Sequence, residues 1–294
     1  MNADSYFEIG SSHLVCQDYA LSGNYKDMWY GIVSDGCSSN EYSEIGANIL
    51  CHVTKNFLFL YYDLFFNDTI TADYIAGLLA NSIRAKADEV RKVYPISRDS
   101  LQATLLVSVV VKKADITKAF IFAWGDGVII RFFMTAVSKV EFLCVEEFDY
   151  PKTNAPVYLM TDHESYEKKF TEEGCVKQRK LVALDPITFK VDIESKGIDL
   201  INLAGNAEEF WAPQVHSYFL RPGDFIILAT DGLTQYKDQN KKPIETVSII
   251  PSILAYPNYN GQFVKRTMNF LKRDLVRKNW SHADDIGIAT IINI

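Results

Sequence analysis

The sequence lacks any closely paired cysteines. Its 294 residues include five cysteines, an odd number, and no two of them form a CxxC pair. A zinc knuckle built on such pairs is therefore excluded, and nothing suggests a disulfide framework. The pattern predicts a protein with free thiols in a reducing compartment, such as the cytoplasm.

The sequence also lacks an excess of positive charge and a membrane-spanning apolar run. Lysine and arginine number 30 against 37 aspartates and glutamates, a formal net charge of −7, so we expect no nucleic acid and no membrane surface among its partners. The longest apolar run, "FLFLYYDLFF", is interrupted by Asp63 and is too short to cross a bilayer. The start, "MNADSYFEIG", has no basic region of a secretory signal. These absences predict a soluble cytoplasmic protein.

The composition predicts a large hydrophobic core. Hydrophobic residues make up 48 % of the chain and aromatic residues 13 %, which argues against general disorder. We expect a single domain over residues 1–294, with a variable flap or insertion at about 151–214, where the periodicity weakens and charged residues cluster.

Hydrophobic periodicity predicts alternating blocks of strands and helices. An N-terminal hairpin is followed by helices at about 44–63 and 71–94, each with one apolar stripe, and a later helix is expected at about 261–278. The predicted strands after the first two helices are 103–111, 118–124, 128–133, 140–148 and 156–161. The breaks between them are short, which favours antiparallel pairing, because parallel neighbours need crossovers of about a dozen residues or more.

Three of the predicted strands end on an Asp-Gly pair. The pairs begin at Asp35, Asp126 and Asp231. Asp-Gly is also a common hairpin turn, since it supplies positive φ angles, and this reading is strong for Asp126, which lies between two strands. It is weaker for Asp35 and Asp231, because a polar loop follows each of them.

Carboxylates at strand ends are also typical of a site for a hard divalent cation. Such cations prefer oxygen ligands, and several carboxylates at one sheet edge repel one another unless a cation neutralises them. Asp284 and Asp285, which open the last predicted strand, add a further pair. Each of these features alone is weak evidence.

Their order along the chain is specific, because the sequence resembles the metal-dependent protein phosphatases of type 2C over most of its length. Outside residues 151–214, six stretches resemble the family's motifs and occur in the family's usual order. Their residues are most similar to those of divergent bacterial members. The stretches are "CQDYA", "VSDGCSSNEYSEIGA", "LQATLLVSVV", "WGDGVIIRF", "LRPGDFIILATDGL" and "HADDIGIATI". The resemblance implies an α+β fold, an αββα sandwich of two antiparallel sheets flanked by helix pairs. It also implies a serine/threonine phosphoprotein phosphatase that uses two Mn²⁺ or Mg²⁺ ions.

The resemblance also assigns roles to individual residues. Asp35 would bridge the two ions, the carbonyl of Gly36 would bind one of them, and Asp231 and Asp284 would bind the other. Asp18 would orient the water. A hydroxide that bridges the ions would attack the phosphorus of phosphoserine or phosphothreonine, because bound cations acidify water and neutralise the phosphoryl oxygens.

Three positions depart from the family's pattern. Gln17 replaces a glutamate and Gln235 replaces an aspartate that helps to hold a third metal in many bacterial members, so a third ion beside Asp126 is expected to be weak. His13 stands where many members have a phosphate-binding arginine, and we expect it to contact the substrate phosphate. The alternative is an ordinary histidine packed at the start of a strand.

Cys16 and Cys37 flank the first two acidic motifs. If Asp18 and Asp35 meet, the two thiols are expected to face each other and to be sensitive to oxidation. The alternative is that both are small apolar fillers.

Two other functions fit parts of the sequence. One is a catalytically weak or inactive binding or regulatory module on the same fold, which the three departures favour and the acidic residues Asp35, Asp231 and Asp284 oppose. The other is a phosphotransferase with a nucleophilic aspartate. That chemistry needs a second acid two residues after the first, where this chain has Cys37.

Overall fold

Two antiparallel sheets lie face to face, and each carries helices on its outer side. In the computed structural model, the described residues are 1–134, 141–150, 156–162, 165, 178–185, 201–202, 213–256 and 258–294. Among them, the α-helices are α1 (Ser43–Leu60), α2 (Ala72–Arg91), α3 (Ile250–Ile253) and α4 (Phe263–Lys278). None of these helices is long and apolar enough to cross a membrane.

The strands lie in two main sheets and one small one. Their bounds are β1 (Asn2–Glu8), β2 (Asp18–Tyr25), β3 (Met28–Asp35), β4 (Leu105–Lys113), β5 (Ile116–Trp124), β6 (Gly127–Met134), β7 (Glu141–Asp149), β8 (Gln178–Leu184), β9 (Ile201–Asn202), β10 (Gln214–Phe219), β11 (Phe225–Ala229), β12 (Tyr236–Lys237), β13 (Ser281–His282) and β14 (Ile286–Ile292). The larger sheet has the order β1-β14-β11-β6-β7-β8-β9, and the second has the order β10-β5-β4-β3-β2. Strands β12 and β13 form the small sheet. The fold class predicted from the sequence is confirmed.

Three apolar layers hold this arrangement together. One lies between the second sheet and helices α1 and α2, a second lies between the two sheets, and the third lies between the larger sheet and helices α3 and α4. Strand β4 shows why the central strands are continuously apolar: Leu106 and Val110 face the other sheet, while Val107 and Val109 face the helices. A strand that is buried on both faces has no polar side to alternate with.

Several elements differ from the prediction. The segment 156–161 is wrong as a strand: it forms a turn in which the Thr161 amide donates to the Tyr158 carbonyl at 3.1 Å. A short apolar run does not distinguish a strand from a turn packed into a core. Strands β1, β8 and β10 were not predicted from the sequence. Each of them is short and half-polar, so no apolar pattern marks it.

The stretch 151–214, predicted to be a flap or insertion, is described only in part. Strands β8 and β9 and the turn at 156–162 lie within it, and both strands extend the larger sheet beyond β7. Most of the rest lies outside the described residues, and the flap stays a prediction.

Candidate active site

The centre of the site is a pair of carboxyl groups on neighbouring strands. Asp18 begins β2, Asp35 ends β3, and the two are direct partners in the antiparallel register. Their carboxyl groups lie close enough for a hydrogen bond when one of them holds a proton. Asp18 is only 3 % exposed and Asp35 is half-buried. The pair therefore concentrates acidic groups in a poorly solvated place.

Two threonines position this pair. The hydroxyl of Thr230 donates to Asp18 Oδ2 at 2.6 Å and accepts from the Gly287 amide at 2.9 Å, so it ties β2 to the larger sheet. The hydroxyl of Thr104 accepts from the Asp35 amide at 2.9 Å. Both threonines are buried, so the carboxyls are held by a fixed polar scaffold.

Asp231 and Asp284 reach the same place from two other elements. Asp231 opens a 3-10 helix directly after β11, and Asp284 lies two residues before β14. The negative charge of Asp231 acts on both Asp18 and Asp35, and it also raises the pKa of Asp284 after the larger effect of burial. Four carboxyls from four separate elements thus form one cluster.

The glycines of two Asp-Gly pairs allow this close approach. A Cβ on Gly36 would lie 2.6 Å from the carbonyl oxygen of Ser43, and one on Gly232 would overlap the carbonyl oxygen of Asp285. The pairs at Asp35 and Asp231 are therefore not hairpin turns: the glycine is needed because another backbone segment packs directly against it.

The hairpin predicted at Asp126 is wrong, because β5 and β6 belong to different sheets, but Asp126 does lie in a turn. It lies in the tight turn between β5 and β6, flanked by Gly125 and Gly127 with φ of +88° and +137°. Its charge also acts on Asp35, so the turn brings this carboxylate to the cluster.

Asp285, which the sequence analysis paired with Asp284 but gave no role of its own, organises the N-terminal loop. Its Oδ1 accepts from the Gly10 amide at 2.7 Å and its Oδ2 from the Gln17 amide at 2.6 Å. His13 Nδ1 lies 3.0 Å from the same Oδ2, and His13 Nε2 lies 3.7 Å from Asp284 Oδ1. His13 is therefore at the site rather than packed into an ordinary strand.

The electrostatics of the cluster favour bound protons. Burial raises the pKa of Asp18, and the charges of Asp231 and Asp285 add to that effect. Burial also raises the pKa of Asp35 well above its usual value, with further contributions from its neighbours Asp18, Asp231 and Asp126. The hydrogen bond to Asp285 raises the pKa of His13. The cluster thus carries more negative charge than its surroundings solvate well.

The two glutamines donate hydrogen bonds. Gln17 Nε2 donates to the Ser43 hydroxyl at 2.9 Å, and Gln235 Nε2 donates to Asp231 Oδ2 at 2.8 Å. Gln235 thus touches a residue expected to bind metal, whereas the Gln17 side chain is directed to the start of α1.

One aromatic residue near the cluster was not predicted from the sequence to lie there. Tyr158 is buried, and burial, together with the nearby Cys37, Asp126 and Asp35, raises the pKa of its hydroxyl far above its usual value. The run "PVYLMT" was interpreted as a strand, so periodicity gave no reason to place Tyr158 here.

The donor set fits a hard divalent cation, although its geometry is not that of a preformed metal site. Within the described part of the chain, no three His, Cys, Asp or Glu side chains are arranged to hold a metal ion. The carboxyl groups of Asp18 and Asp35 instead lie close to each other, within reach of a hydrogen bond when one of them holds a proton. Oxygen-only donors suit Mg²⁺ or Mn²⁺, since a dication would neutralise the charge of the cluster.

Cys16 and Cys37 are both free thiols next to the cluster. Cys16 Sγ donates to the Asp18 carbonyl at 3.5 Å, and Cys37 Sγ lies 3.1 Å from the Ser39 hydroxyl. Burial, together with the charge of Asp285, raises the pKa of Cys16 to about 12. Because the thiolate is the reactive form, this environment disfavours oxidation of Cys16.

Comparison with known proteins identifies the family of the sequence and solved structures with a similar fold. The sequence model of the family described as Protein phosphatase 2C matches residues 9–272. Among curated proteins no sequence match was found. The fold is similar to that of PppA, described as a regulatory component of the T6SS in Pseudomonas aeruginosa, with 12 % identity, a TM-score of 0.51, and coverage of 99 % of this chain and 97 % of that one.

Two further solved structures share the architecture. A bacterial serine phosphatase is 12 % identical with a TM-score of 0.50, and the match covers 100 % of this chain and 98 % of that one. The phosphatase domain and regulatory fragment of SpoIIE from Bacillus subtilis is 10 % identical with a TM-score of 0.52, and the match covers 99 % of this chain and 63 % of that one.

Proposed function

Since the chain belongs to the protein phosphatase 2C family, we propose that it is a metal-dependent serine/threonine phosphoprotein phosphatase that hydrolyses phosphomonoesters. The observation that carries this proposal is the convergence of Asp18, Asp35, Asp231 and Asp284 from four separate elements. A cluster of partly buried carboxyls destabilises a fold unless a cation neutralises it, and divalent cations suit an oxygen-only donor set.

The proposed cofactors are two Mn²⁺ or Mg²⁺ ions. Asp35 and the Gly36 carbonyl would hold them on the β3 side, and Asp231 and Asp284 would hold them on the side of the larger sheet. Bound there, the cations would neutralise charge on the phosphoryl group and acidify a water molecule. Asp18, fixed by the Thr230 hydroxyl, would accept a hydrogen bond from that water and orient it.

A third metal ion would bind with low affinity. It would lie beside Asp126 and Asp231, where Gln235 contributes no charge and donates its amide to the Asp231 carboxylate. A cation would have to displace this hydrogen bond. The neutral amide then gives a lower affinity than a carboxylate at the same position would.

The proposed substrate is a phosphoserine or phosphothreonine protein. His13 is the nearest cationic side chain in the N-terminal loop, and Asp285 and Asp284 hold it at the edge of the cluster. A protonated imidazole has a donor available for a phosphoryl oxygen, although it lacks the fixed fork of a guanidinium.

A second candidate is a binding or regulatory module without strong activity. Gln17 supports it, because its neutral side chain is bonded to Ser43 and gives no charge to the cluster. Asp35, Asp231 and Asp284 oppose it. A module predicts phosphate or phosphopeptide binding without turnover.

Hydrolysis of p-nitrophenyl phosphate and of phosphothreonine peptides, with Mn²⁺ and with a chelator, tests the proposal. We expect turnover that requires Mn²⁺ or Mg²⁺ and is lost in Asp231→Asn. The matched control is Asp115→Asn, which changes an exposed carboxylate in the turn between β4 and β5. Turnover that is equal with and without the chelator contradicts the proposal, as does full activity in Asp231→Asn.

A further inference from the structure

Three exposed apolar side chains lie in the loop between β1 and β2, which also carries His13. Leu14 is 100 % exposed, Val15 is 55 % exposed and Ile9 is 44 % exposed. A single exposed leucine needs no explanation, but several large apolar side chains in one short loop form a patch that favours contact with another molecule. We call Ile9, Leu14 and Val15 the apolar patch.

Hydrogen bonds to the segment before β14 hold this loop in place. The amides of Gly10 and Gln17 donate to the two carboxylate oxygens of Asp285 at 2.7 and 2.6 Å. The Ser12 amide donates to the Ala283 carbonyl at 3.0 Å. The apolar patch is therefore presented on an ordered backbone, so a partner that binds it does not have to order the loop first.

A tight turn within the loop brings two members of the apolar patch together. The His13 amide donates to the Gly10 carbonyl at 3.4 Å, which closes a β-turn over residues 10–13. The ends of such a turn lie less than about 7 Å apart, so the flanking residues Ile9 and Leu14 leave it from the same part of the surface. Gly10 also packs so closely on the Asp284 backbone that a Cβ there would overlap the Asp284 carbonyl. The turn is therefore seated directly on the segment that carries the proposed metal ligand Asp284.

The apolar patch continues from the side chain that is proposed to meet the phosphate. His13 Nδ1 lies 3.0 Å from Asp285 Oδ2, and His13 Nε2 lies 3.7 Å from Asp284 Oδ1. Consecutive Cα atoms are about 3.8 Å apart, both in this loop and in a bound peptide. A peptide whose phosphate reaches the cluster at His13 therefore brings the next one or two of its side chains to Leu14 and Val15.

The apolar patch distinguishes peptide side chains by their polarity. Its side chains carry no charge and no hydrogen-bonding group. Contact with an apolar side chain removes apolar surface of both partners from water, which is favourable. Contact with a charged or amide side chain instead removes a polar group from water and offers it no hydrogen bond. The chemistry of the patch therefore suits leucine, isoleucine, valine, methionine or phenylalanine on the peptide.

We propose that the apolar patch binds an apolar side chain one or two residues from the phosphorylated serine or threonine of the substrate protein. This inference rests on the proposed phosphatase function and deepens it, because it narrows the substrates to phosphoproteins with apolar residues beside the phosphorylated one. One loop then recognises two features of the substrate, the phosphate through His13 and the adjacent side chain through Leu14.

The test compares two phosphothreonine peptides. They are identical except that the two residues on each side of the phosphothreonine are leucine in one peptide and glutamine in the other. With saturating Mn²⁺, we expect the kcat/KM of the wild type to favour the leucine peptide by about threefold to tenfold, which is part of what full burial of a leucine contributes. In Leu14→Ser we expect this ratio to fall to about one. Equal kcat/KM for the two peptides in the wild type overturns the proposal.

The ratio separates recognition of the peptide from a structural effect of the substitution. A substitution that only disturbs the loop slows hydrolysis of both peptides equally and leaves the ratio as in the wild type, and that result in Leu14→Ser overturns the proposal. Leu14→Met keeps an apolar side chain, so we expect it to keep the ratio. The matched control is Leu60→Ser, which changes a leucine that is 80 % exposed at the end of α1. A ratio that falls as much in Leu60→Ser as in Leu14→Ser also overturns the proposal.

A second copy of this chain is the other occupant considered for the apolar patch. Light scattering at the concentration of the assay distinguishes the two cases. We expect the wild type to be a monomer there. A dimer that Leu14→Ser dissociates overturns the proposal.

The outcomes also separate this inference from the proposed function. A wild-type protein that hydrolyses p-nitrophenyl phosphate and hydrolyses both peptides with equal kcat/KM overturns the inference and leaves the function standing. A wild-type protein without turnover of any of the three substrates overturns the function. Fluorescence anisotropy of the two labelled peptides in Mn²⁺ then decides the inference. Tighter binding of the leucine peptide that is lost in Leu14→Ser supports it, and absent binding or equal affinity for the two peptides overturns it.

Discussion

Asp18 and Asp35 are direct partners in the antiparallel register of β2 and β3, and their carboxyl groups lie close enough for a hydrogen bond when one of them holds a proton. Burial, together with neighbouring acids, raises the pKa of both groups. In the unfolded chain an aspartate has a pKa of about 3.9, so above that value the folded state holds more protons than the unfolded state. The pair's contribution to stability is complete below pH ~3.9 and is lost as pH rises through the raised pKa values.

The metal-free protein is therefore expected to lose stability between pH 5 and pH 8. In a chelator at pH 8, Asp18→Asn is expected to raise the melting temperature by about 2–4 °C, the shift that 1 kcal/mol produces in a large domain. At pH 5 the difference is expected to shrink. Thermal melts of the variant beside wild type and Asp115→Asn measure this, and a variant that is less stable than wild type at both pH values contradicts it.

Changing Asp35 or Asp18 to asparagine is expected to have different effects on Mn²⁺ binding and on hydrolysis. Asp35→Asn withdraws charge from both proposed ions, so we expect hydrolysis and Mn²⁺ binding to be lost together. Asp18→Asn is expected to slow turnover by about a hundredfold, a typical effect for a group that positions a reacting water, while Mn²⁺ still binds. Calorimetry with Mn²⁺ alongside the phosphatase assay measures both properties, and an Asp35→Asn protein with normal Mn²⁺ affinity refutes the assignment.

Gln235→Asp is expected to increase the affinity of the protein for a third metal ion. The change removes the amide that donates to Asp231 at 2.8 Å and adds a carboxylate beside it. Without metal the new charge is expected to lower the melting temperature, and with millimolar Mn²⁺ a third, tighter binding event is expected. Titration calorimetry of the variant measures it. If the wild-type protein binds a third Mn²⁺ as tightly as the variant does, Gln235 does not weaken binding of the third ion.

His13→Ala is expected to raise KM for a phosphopeptide by about tenfold with little change in kcat, because it removes a donor to the phosphate. His13→Arg is expected to restore affinity, since a guanidinium offers a permanent charge and several donors. Steady-state kinetics of both variants provide the test. Unaltered kinetics in His13→Ala place the imidazole's role in the loop rather than on the substrate.

Mild peroxide is expected to form no disulfide between Cys16 and Cys37. The raised pKa of Cys16, about 12, leaves almost no thiolate at neutral pH to attack a partner sulfur. Mass spectrometry of the oxidised protein, with Cys37→Ser as the control, detects the bond directly. Reversible inhibition that disappears in Cys37→Ser supports the alternative, that these thiols are sensitive to redox conditions.

The order of motifs in the sequence determined the family and most of the fold. Short breaks between strands predicted antiparallel pairing, and one-sided apolar stripes predicted the helices, because periodicity and turn chemistry are local properties. The sandwich of two antiparallel sheets with helices outside came from the family resemblance that the order of motifs carries. The ends of the predicted strands brought Asp35, Asp231 and Asp284 forward as candidates, since their positions are visible in the chain itself, whereas Asp18 came from the family resemblance.

Only the tertiary structure decided what surrounds those residues. Asp285 collects three partners from the N-terminal loop, and Thr230 joins Asp18 to the larger sheet, across sequence separations of 268 and 212 residues for the Gln17 and Thr230 bonds. The turn that carries Tyr158 is fixed by Leu159 and Met160, which are buried under α1 and α2. Contacts of this kind depend on how distant segments pack, and no local pattern encodes them, because burial and hydrogen bonding between remote segments exist only once the sheets have stacked.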